Sequence, residues 1–427
     1  MDLVSGIITI GLILILGFIG NYIFNKTQIP SIVWLLLFGL LIGYFFRIQE
    51  FQTLYPNILD SISGMVGAIA IIIILFDGGI NTDLHQLFRG APRGLLLTLS
   101  GFIFSLFSVM ILIFGLDALN VIAIQGDSLV VGAMLGAIVA GTSSPIVIPL
   151  ACRLKNLQEK TKIVASIESI LTDPICIVVA FAIAYMVLEL GEINLILGLG
   201  NVVKTFSVGI VLGLTLGLIW LFIMNKVKKE QFSYVLTLAV VFLVYSLTVL
   251  LVGANEGGEG AGAISCIMFG LVLGNGKKIL RIVKYKGKGF EVDEKTKQFH
   301  SLTSFVIRTF FFVYLGILVS TQKIQINYIL IGIIVLIALI IVRYLAVYIS
   351  TYKCGFEKDD KQTIIVMMPR GLAAAILAIN FGPIFVEKFM PGYTGFFEEV
   401  AFVVILGTAI ICTIGISIIS HFENQKK

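Results

Sequence analysis

The sequence predicts an all-α polytopic membrane protein of about thirteen transmembrane helices, on three observations: its composition, the spacing of its apolar runs, and the placement of basic residues between them. Of 427 residues, 58% are hydrophobic and 13% charged, against roughly 25% charged in an ordinary soluble domain. The mean hydropathy is +1.05. With 25 Asp and Glu and 30 Lys and Arg over that length, most segments lack the residues for a solvated face. That excludes a secreted enzyme, a disordered scaffold or a string of soluble domains.

A bilayer core of about 30 Å takes about 20 apolar residues per helix. Polar residues, Gly and Pro cut the sequence into runs of that size at about 3–23, 31–47, 58–79, 94–116, 129–152, 163–188, 203–225, 231–253, 259–276, 300–320, 327–351, 362–383 and 397–420. No Lys or Arg precedes the first run and no small-residue cleavage site follows it, so it reads as a retained helix. Counting Lys and Arg in alternate connections gives roughly 23 on one side against four on the other, the signature of short cytoplasmic loops. Lys26, Arg89, Arg93, the stretch from Arg153 to Lys162, Lys226 to Lys229, Lys277 to Lys297 and Lys353 to Lys361 fall on the rich side, with the terminal lysines. The poor side has Arg47, Lys204, Lys323 and Lys388. The N-terminus is therefore expected outside and the C-terminus in the cytoplasm of a multi-pass cell-membrane protein.

The formal net charge of +5 is thus a topology signal and calls for no nucleic acid. Cys152, Cys176, Cys266, Cys354 and Cys412 are widely spaced, without a CxxC pair, so neither a disulfide framework nor a zinc site is indicated and they read as small core residues. His85, His300 and His421 fall in or beside charged connections and read as solvated. Gly257-Gly258-Glu259-Gly260 lacks the lysine of a phosphate-binding loop, so ATP use is not suggested and no cofactor is expected.

Charges left inside apolar runs carry the chemistry, since each costs about 2.5–3.5 kcal/mol at the bilayer centre unless paired or hydrated. In the sixth run, Glu168, Ser169, Thr172, Asp173 and Pro174 follow one another, and Asp173 lies about 15 Å along the helix, near the midplane. Ser169 and Asp173 share a face, while Pro174 removes a backbone donor and frees a carbonyl one turn back. This is a stack of oxygen ligands for a hard cation. Glu168 matches Arg370 in depth and reads as half of a structural ion pair with it. Arg308 is a second structural charge or a tuner of the field, and Arg343 is placed to snorkel toward the inner surface.

The fifth run contains Gly141-Thr142-Ser143-Ser144-Pro145 and then Pro149, and the twelfth contains Pro369-Arg370-Gly371. Both should interrupt their helices within the membrane, where unwound backbone must line protein or water. An odd offset of seven spans sends the two through the membrane in opposite directions. Discontinuous helices 5 and 12 in matching positions point to inverted repeats and a transporter with its site near the midplane.

These residues bring a resemblance. Leu75-Phe76-Asp77-Gly78-Gly79, Ser143-Ser144-Pro145, Glu168-Ser169 with Thr172-Asp173, Arg308 ahead of Phe310-Phe311-Phe312, and Pro369-Arg370-Gly371 resemble the monovalent cation/proton antiporter superfamily, most closely its prokaryotic sodium/proton exchangers. The similarity in order and spacing runs over nearly the whole chain. It implies one membrane transporter domain, 1–427, working as a homodimer in lipid. A core bundle of about 94–188 and 327–420 would move against a dimerisation scaffold of about 3–79 and 203–320. By the same resemblance Asp173 binds sodium or a proton, Ser169 is a sodium ligand beside it, Glu168 partners Arg370, and Asp77 and Arg308 are tuning positions. The break usually reads Thr-Asp-Pro in that superfamily and the acid pair Asn-Asp, so Ser144 removes a carboxylate and Thr172 replaces an amide.

The mechanism expected is electroneutral sodium or lithium exchange for protons, serving pH homeostasis. Both guests compete for Asp173, with Ser169, Thr172, Ser143 and Ser144 as further oxygen donors, and only the neutralised site crosses the membrane. The alternative is a potassium/proton antiporter, because the oxygen inventory does not fix the cation. An intramembrane hydrolase using Asp173 and Glu168 is disfavoured because five residues turn Glu168 about 140° off the Asp173 face. A passive cation channel is the last rival, marked by large conductance.

Overall fold

The computed structural model describes residues 3–27, 29–48, 56–154, 157–188, 195–227, 233–253, 257–282, 294–321 and 325–425. Sixteen helices account for them: α1 (Leu3–Thr27), α2 (Ser31–Ile48), α3 (Pro56–Ile80), α4 (Leu84–Ala118), α5 (Ser128–Val139), α6 (Ser144–Arg153), α7 (Glu159–Leu188), α8 (Leu195–Val227), α9 (Ser233–Val252), α10 (Gly258–Gly274), α11 (Gly276–Ile282), α12 (Glu294–Thr321), α13 (Ile326–Thr351), α14 (Lys358–Val366), α15 (Leu372–Phe389) and α16 (Phe396–Gln425). No strand occurs among the described residues. Among the described residues, nine segments are long and apolar enough to cross a membrane and four shorter helices are apolar.

Both interruptions fall where the sequence placed them. The fifth apolar run is α5 and α6, separated by residues 140–143, and the twelfth is α14 and α15, separated by 367–371. Ser143, at φ −78° and ψ 107°, is extended. Pro145 occupies the first turn of α6, where its missing N–H leaves no bond unmade. Pro149 and Pro174, by contrast, lie inside α6 and α7, which remain helical through them.

The chain forms two compact units, one of residues 1–65, 90–176 and 306–427, the other of 66–89 and 177–305. Within the first, α16 packs along α13, α14 and α15, α15 against α5, and α1 against α2. Within the second, α10 packs against α8 and α9. Close approach in the first unit depends on small residues: a Cβ on Gly316 of α12 would stand 2.5 Å from the Leu36 carbonyl and 2.8 Å from Gly39 Cα of α2. Ile326, Leu330, Ile337 and Tyr344 of α13 are exposed, an apolar stripe suited to lipid.

Several expectations change here. α12 begins at Glu294, so His300 is inside a helix and fully buried rather than solvated. Its ring meets Phe76 edge-on at 4.8 Å and Phe299 at 5.5 Å, and neither ring nitrogen has a hydrogen-bond partner among the described residues. The side chains of His85 and His421 lie outside the described residues. Cys176, Cys266 and Cys412 are buried, but Cys152 is exposed at the end of α6 and Cys354 is half-exposed in a turn, so these two are not core residues.

Gly316→Val forces α2 and α12 apart. Overpacking of this kind costs about 1–3 kcal/mol, and the purified variant should melt at a lower temperature than the parent in the same detergent.

Candidate functional site

The two interruptions cross each other, and the contact is made by backbone. The Ser143 amide donates to the Pro369 carbonyl at 2.8 Å. Gly371 faces Ser143 so closely that a Cβ on it would stand 2.6 Å from both Cβ and Oγ of the serine. Glycine is therefore required for the crossing by space alone, its backbone being extended.

A helix that ends inside the membrane leaves carbonyls without donors, and these carry the negative end of the helix dipole. Each of the two half-helices meets this with an arginine. α5 ends at Ala140, whose carbonyl accepts from the Arg370 guanidinium. α14 ends at Met367, and Arg343 of α13 donates to the carbonyls of both Ile364 (Nη2 at 2.8 Å, Nε at 3.2 Å) and Met367 (3.0 Å). Arg343 is 4% exposed, Arg370 2%. Arg370 is also fixed through its amide, which donates to Thr408 Oγ1 of α16 at 3.0 Å.

The expected pairing of Glu168 is corrected by this arrangement. Glu168 faces Arg343 in a two-pronged pair, with Arg343 Nη2 at 2.9 Å from Oε2 and Nη1 against Oε1. Arg370 instead donates to the Ala140 carbonyl at the α5 end. Arg343 does not snorkel, because three interior acceptors hold it.

α7 presents the remaining oxygens. Thr172 Oγ1 accepts the Thr142 amide at 3.0 Å, lies 3.2 Å from Thr142 Oγ1, and reaches the Thr142 carbonyl at 3.3 Å. Its hydroxyl thus ties α7 to the α5–α6 break. Ser169 is buried and donates to the Ser166 carbonyl at 3.1 Å, which leaves its lone pairs available. Asp173 is 7% exposed, and a Cβ on Gly141 would stand 3.3 Å from its Oδ1. Among the described residues its carboxylate has no ion-pair or hydrogen-bond partner; Arg370 acts on it through space.

The structure therefore gathers Asp173, Thr172, Gly141 and Thr142 at one point and turns Ser143 toward the other break. Ser144 opens α6 half-buried. Asp77 lies half-buried in α3, accepting from Asn81 Nδ2 at 3.0 Å, and Arg308 lies half-buried in α12. Sequence reasoning missed the role of Arg343, and also Glu398 and Glu399, which open α16 and are both buried. Glu399 accepts the Gln325 amide at 3.1 Å. An acidic pair at the head of an apolar run was the available signal. Among the described residues, no group of three or more His, Cys, Asp and Glu is placed to hold a metal ion.

The family described as sodium/hydrogen exchanger, transmembrane, matches residues 11–422. The chain belongs to the sodium/hydrogen exchanger family. Members are transporters, not enzymes, and need no cofactor. Two relatives come from Methanocaldococcus jannaschii: Na(+)/H(+) antiporter 1 is 26% identical over 392 residues, 90% of this chain and 84% of its own. Probable Na(+)/H(+) antiporter 2 is 25% identical over 313 residues, 70% of this chain; the match spans 66% of its length. The solved sodium proton antiporter MjNhaP1 from the same organism, at pH 8, superposes with a TM-score of 0.78 at 25% identity, covering 97% of this chain and all of that one.

Glu168→Gln leaves the buried Arg343 charge without its counter-ion, a loss of about 3–5 kcal/mol. The variant should show a marked drop in melting temperature, and Glu168→Gln combined with Arg343→Met should recover part of it. A double variant as unstable as the sum of its singles would show that the two residues act independently.

Proposed function

We propose that this exchanger moves sodium or lithium ions against protons across the cell membrane by alternating access, with cation and proton competing for Asp173. The observation that carries the reading is the contrast between two buried acids on one helix. Glu168 is held by a guanidinium on both oxygens, whereas Asp173 faces a broken helix with no such partner. Only the second can exchange one guest for another.

Sodium is a hard cation that takes oxygen ligands. Asp173 and Ser169 supply two, and Pro174, having no N–H, leaves the Ile170 carbonyl without its helical donor as a third. The Thr172 hydroxyl holds the break in place, and its contribution to the ion is through position. Ser143 and Ser144 contribute through the backbone they carry rather than as a carboxylate, and the site has one negative charge to neutralise. One sodium or one proton does so, which makes one-for-one electroneutral exchange the simplest stoichiometry. An empty, charged site stays put, because moving it through the bilayer interior is costly.

The locked Glu168 also removes the second acid that an intramembrane hydrolase would need. By the basic-residue count the N-terminus is outside and the C-terminus in the cytoplasm, and the family resemblance supports a homodimer with sodium and protons as its substrates.

In proteoliposomes, Asp173→Asn should abolish cation-dependent proton movement while the protein retains its parental helix content and elution volume. Retained exchange would remove Asp173 from this role. Run with sodium, lithium and potassium in turn, the parent should respond to the first two. A response to potassium alone would make it a potassium/proton antiporter, and a large electrical conductance would make it a channel.

Thr172→Val removes the hydroxyl that fixes the α5–α6 break and should raise the KM for sodium and lower the maximal rate, each by about tenfold or more, one buried hydrogen-bonded group being worth about 1–3 kcal/mol. Thr172→Ser, which keeps the hydroxyl, should lose far less.

A further inference from the structure

The wall of the Asp173 site contains a thiol. Cys176 follows Asp173 by three residues on α7, so both side chains leave the same side of the helix, and Cys176 is fully buried. A Cβ on Gly141 would stand 2.9 Å from Cys176 Sγ, 3.3 Å from Asp173 Oδ1 and 3.7 Å from the Thr172 carbonyl. Sulfur and carboxylate thus converge on one spot of the broken helix, and the carboxylate there is more than nine-tenths buried and unpartnered. Cys176 is a free cysteine.

We propose that Cys176 is a specificity-determining residue of the cation pocket, presenting a soft donor beside the hard ones, so that silver(I) occupies the site in competition with sodium. This rests on the reading of Asp173 as the exchanging carboxylate. Thiolate sulfur prefers soft cations, whereas carboxylate and carbonyl oxygens suit hard ones. Sodium is held from the oxygen side, and sulfur occupies wall that a further oxygen would otherwise fill. Silver uses both: a silver–sulfur bond forms, the S–H bond breaks, and the proton leaves to solvent, with no change of oxidation state. The silver thiolate is itself neutral, so Asp173 beside it keeps its charge, the occupied site stays put, and sodium is kept out of the pocket for as long as the silver is bound.

The test uses the full chain carrying Cys152→Ser and Cys354→Ser, which removes the two accessible thiols, in chloride-free proteoliposomes. Sodium-driven proton flux is titrated with silver nitrate, each variant being scaled to its own silver-free rate. Silver should inhibit, and a tenfold increase in sodium should raise the half-inhibiting silver concentration by about the same factor. Cys176→Ala should raise that concentration at least tenfold. Cys176→Ser, which adds a hard oxygen, should lower the KM for sodium more than it changes the maximal rate. Silver retained per protein after desalting, with and without sodium, gives a readout independent of flux, and Cys176→Ser should hold one ion fewer. Inhibition that is indifferent to sodium, or equal silver sensitivity and retention in the Cys176 variants, overturns the proposal. Asp173→Asn separates the two levels. If it still exchanges, the reading of Asp173 fails. If it is inactive while the Cys176 variants behave as the parent, only the role of Cys176 fails.

Discussion

A carbonyl that ends a helix in the middle of a bilayer has no water to turn to, and the site is organised by how that requirement is met. Two half-helices, α5 and α14, end near each other, and each has its own guanidinium: Arg370 on Ala140, and Arg343 on Ile364 and Met367. Hydrogen bonds to charged donors are about twice as strong as neutral ones, and here they also offset the negative end of each helix dipole. The two guanidinium groups thus supply donors to carbonyls that the broken helices leave unpaired.

Two buried cations need at least one buried anion nearby, and the way the charge is divided decides which acid is free. Arg343 is balanced by Glu168 directly. Arg370 makes its contact with a neutral carbonyl and leaves its charge to be felt through space by Asp173. A paired acid and an acid with no ion-pair or hydrogen-bond partner among the described residues therefore coexist within five residues of one helix, their separation around the helix axis sending one carboxylate to α13 and the other to the break. The Thr172 hydroxyl and the Ser143 amide fix the break between them, so the position of Asp173 relative to the unwound backbone is set by short, neutral hydrogen bonds.

Much of this was legible in the sequence, because the informative signals are local. Proline and glycine inside an apolar run mark an interruption whatever the fold, and Gly141 to Pro145 and Pro369 to Gly371 did so. An acid at the centre of an apolar run, Asp173, announces itself by its cost. What the sequence could not supply was pairing. Glu168 and Arg343 are 175 residues apart, and three intramembrane arginines at comparable depths offer no one-dimensional reason to choose among them. The choice is made by which arginine a helix end has already taken. His300 shows the same limit: a charged segment predicts solvent, but α12 starts six residues before the apolar run and carries the imidazole in between Phe76 and Phe299.

Infrared difference spectroscopy of the purified protein, with and without sodium, tests most directly whether a single acid serves both guests. At a pH where Asp173 holds its proton, sodium should erase one protonated-carboxyl band in the parent, and that change should be missing from Asp173→Asn. The same sodium-dependent band in the Asp173→Asn protein, or none in the parent at any pH at which it exchanges ions, would contradict the account.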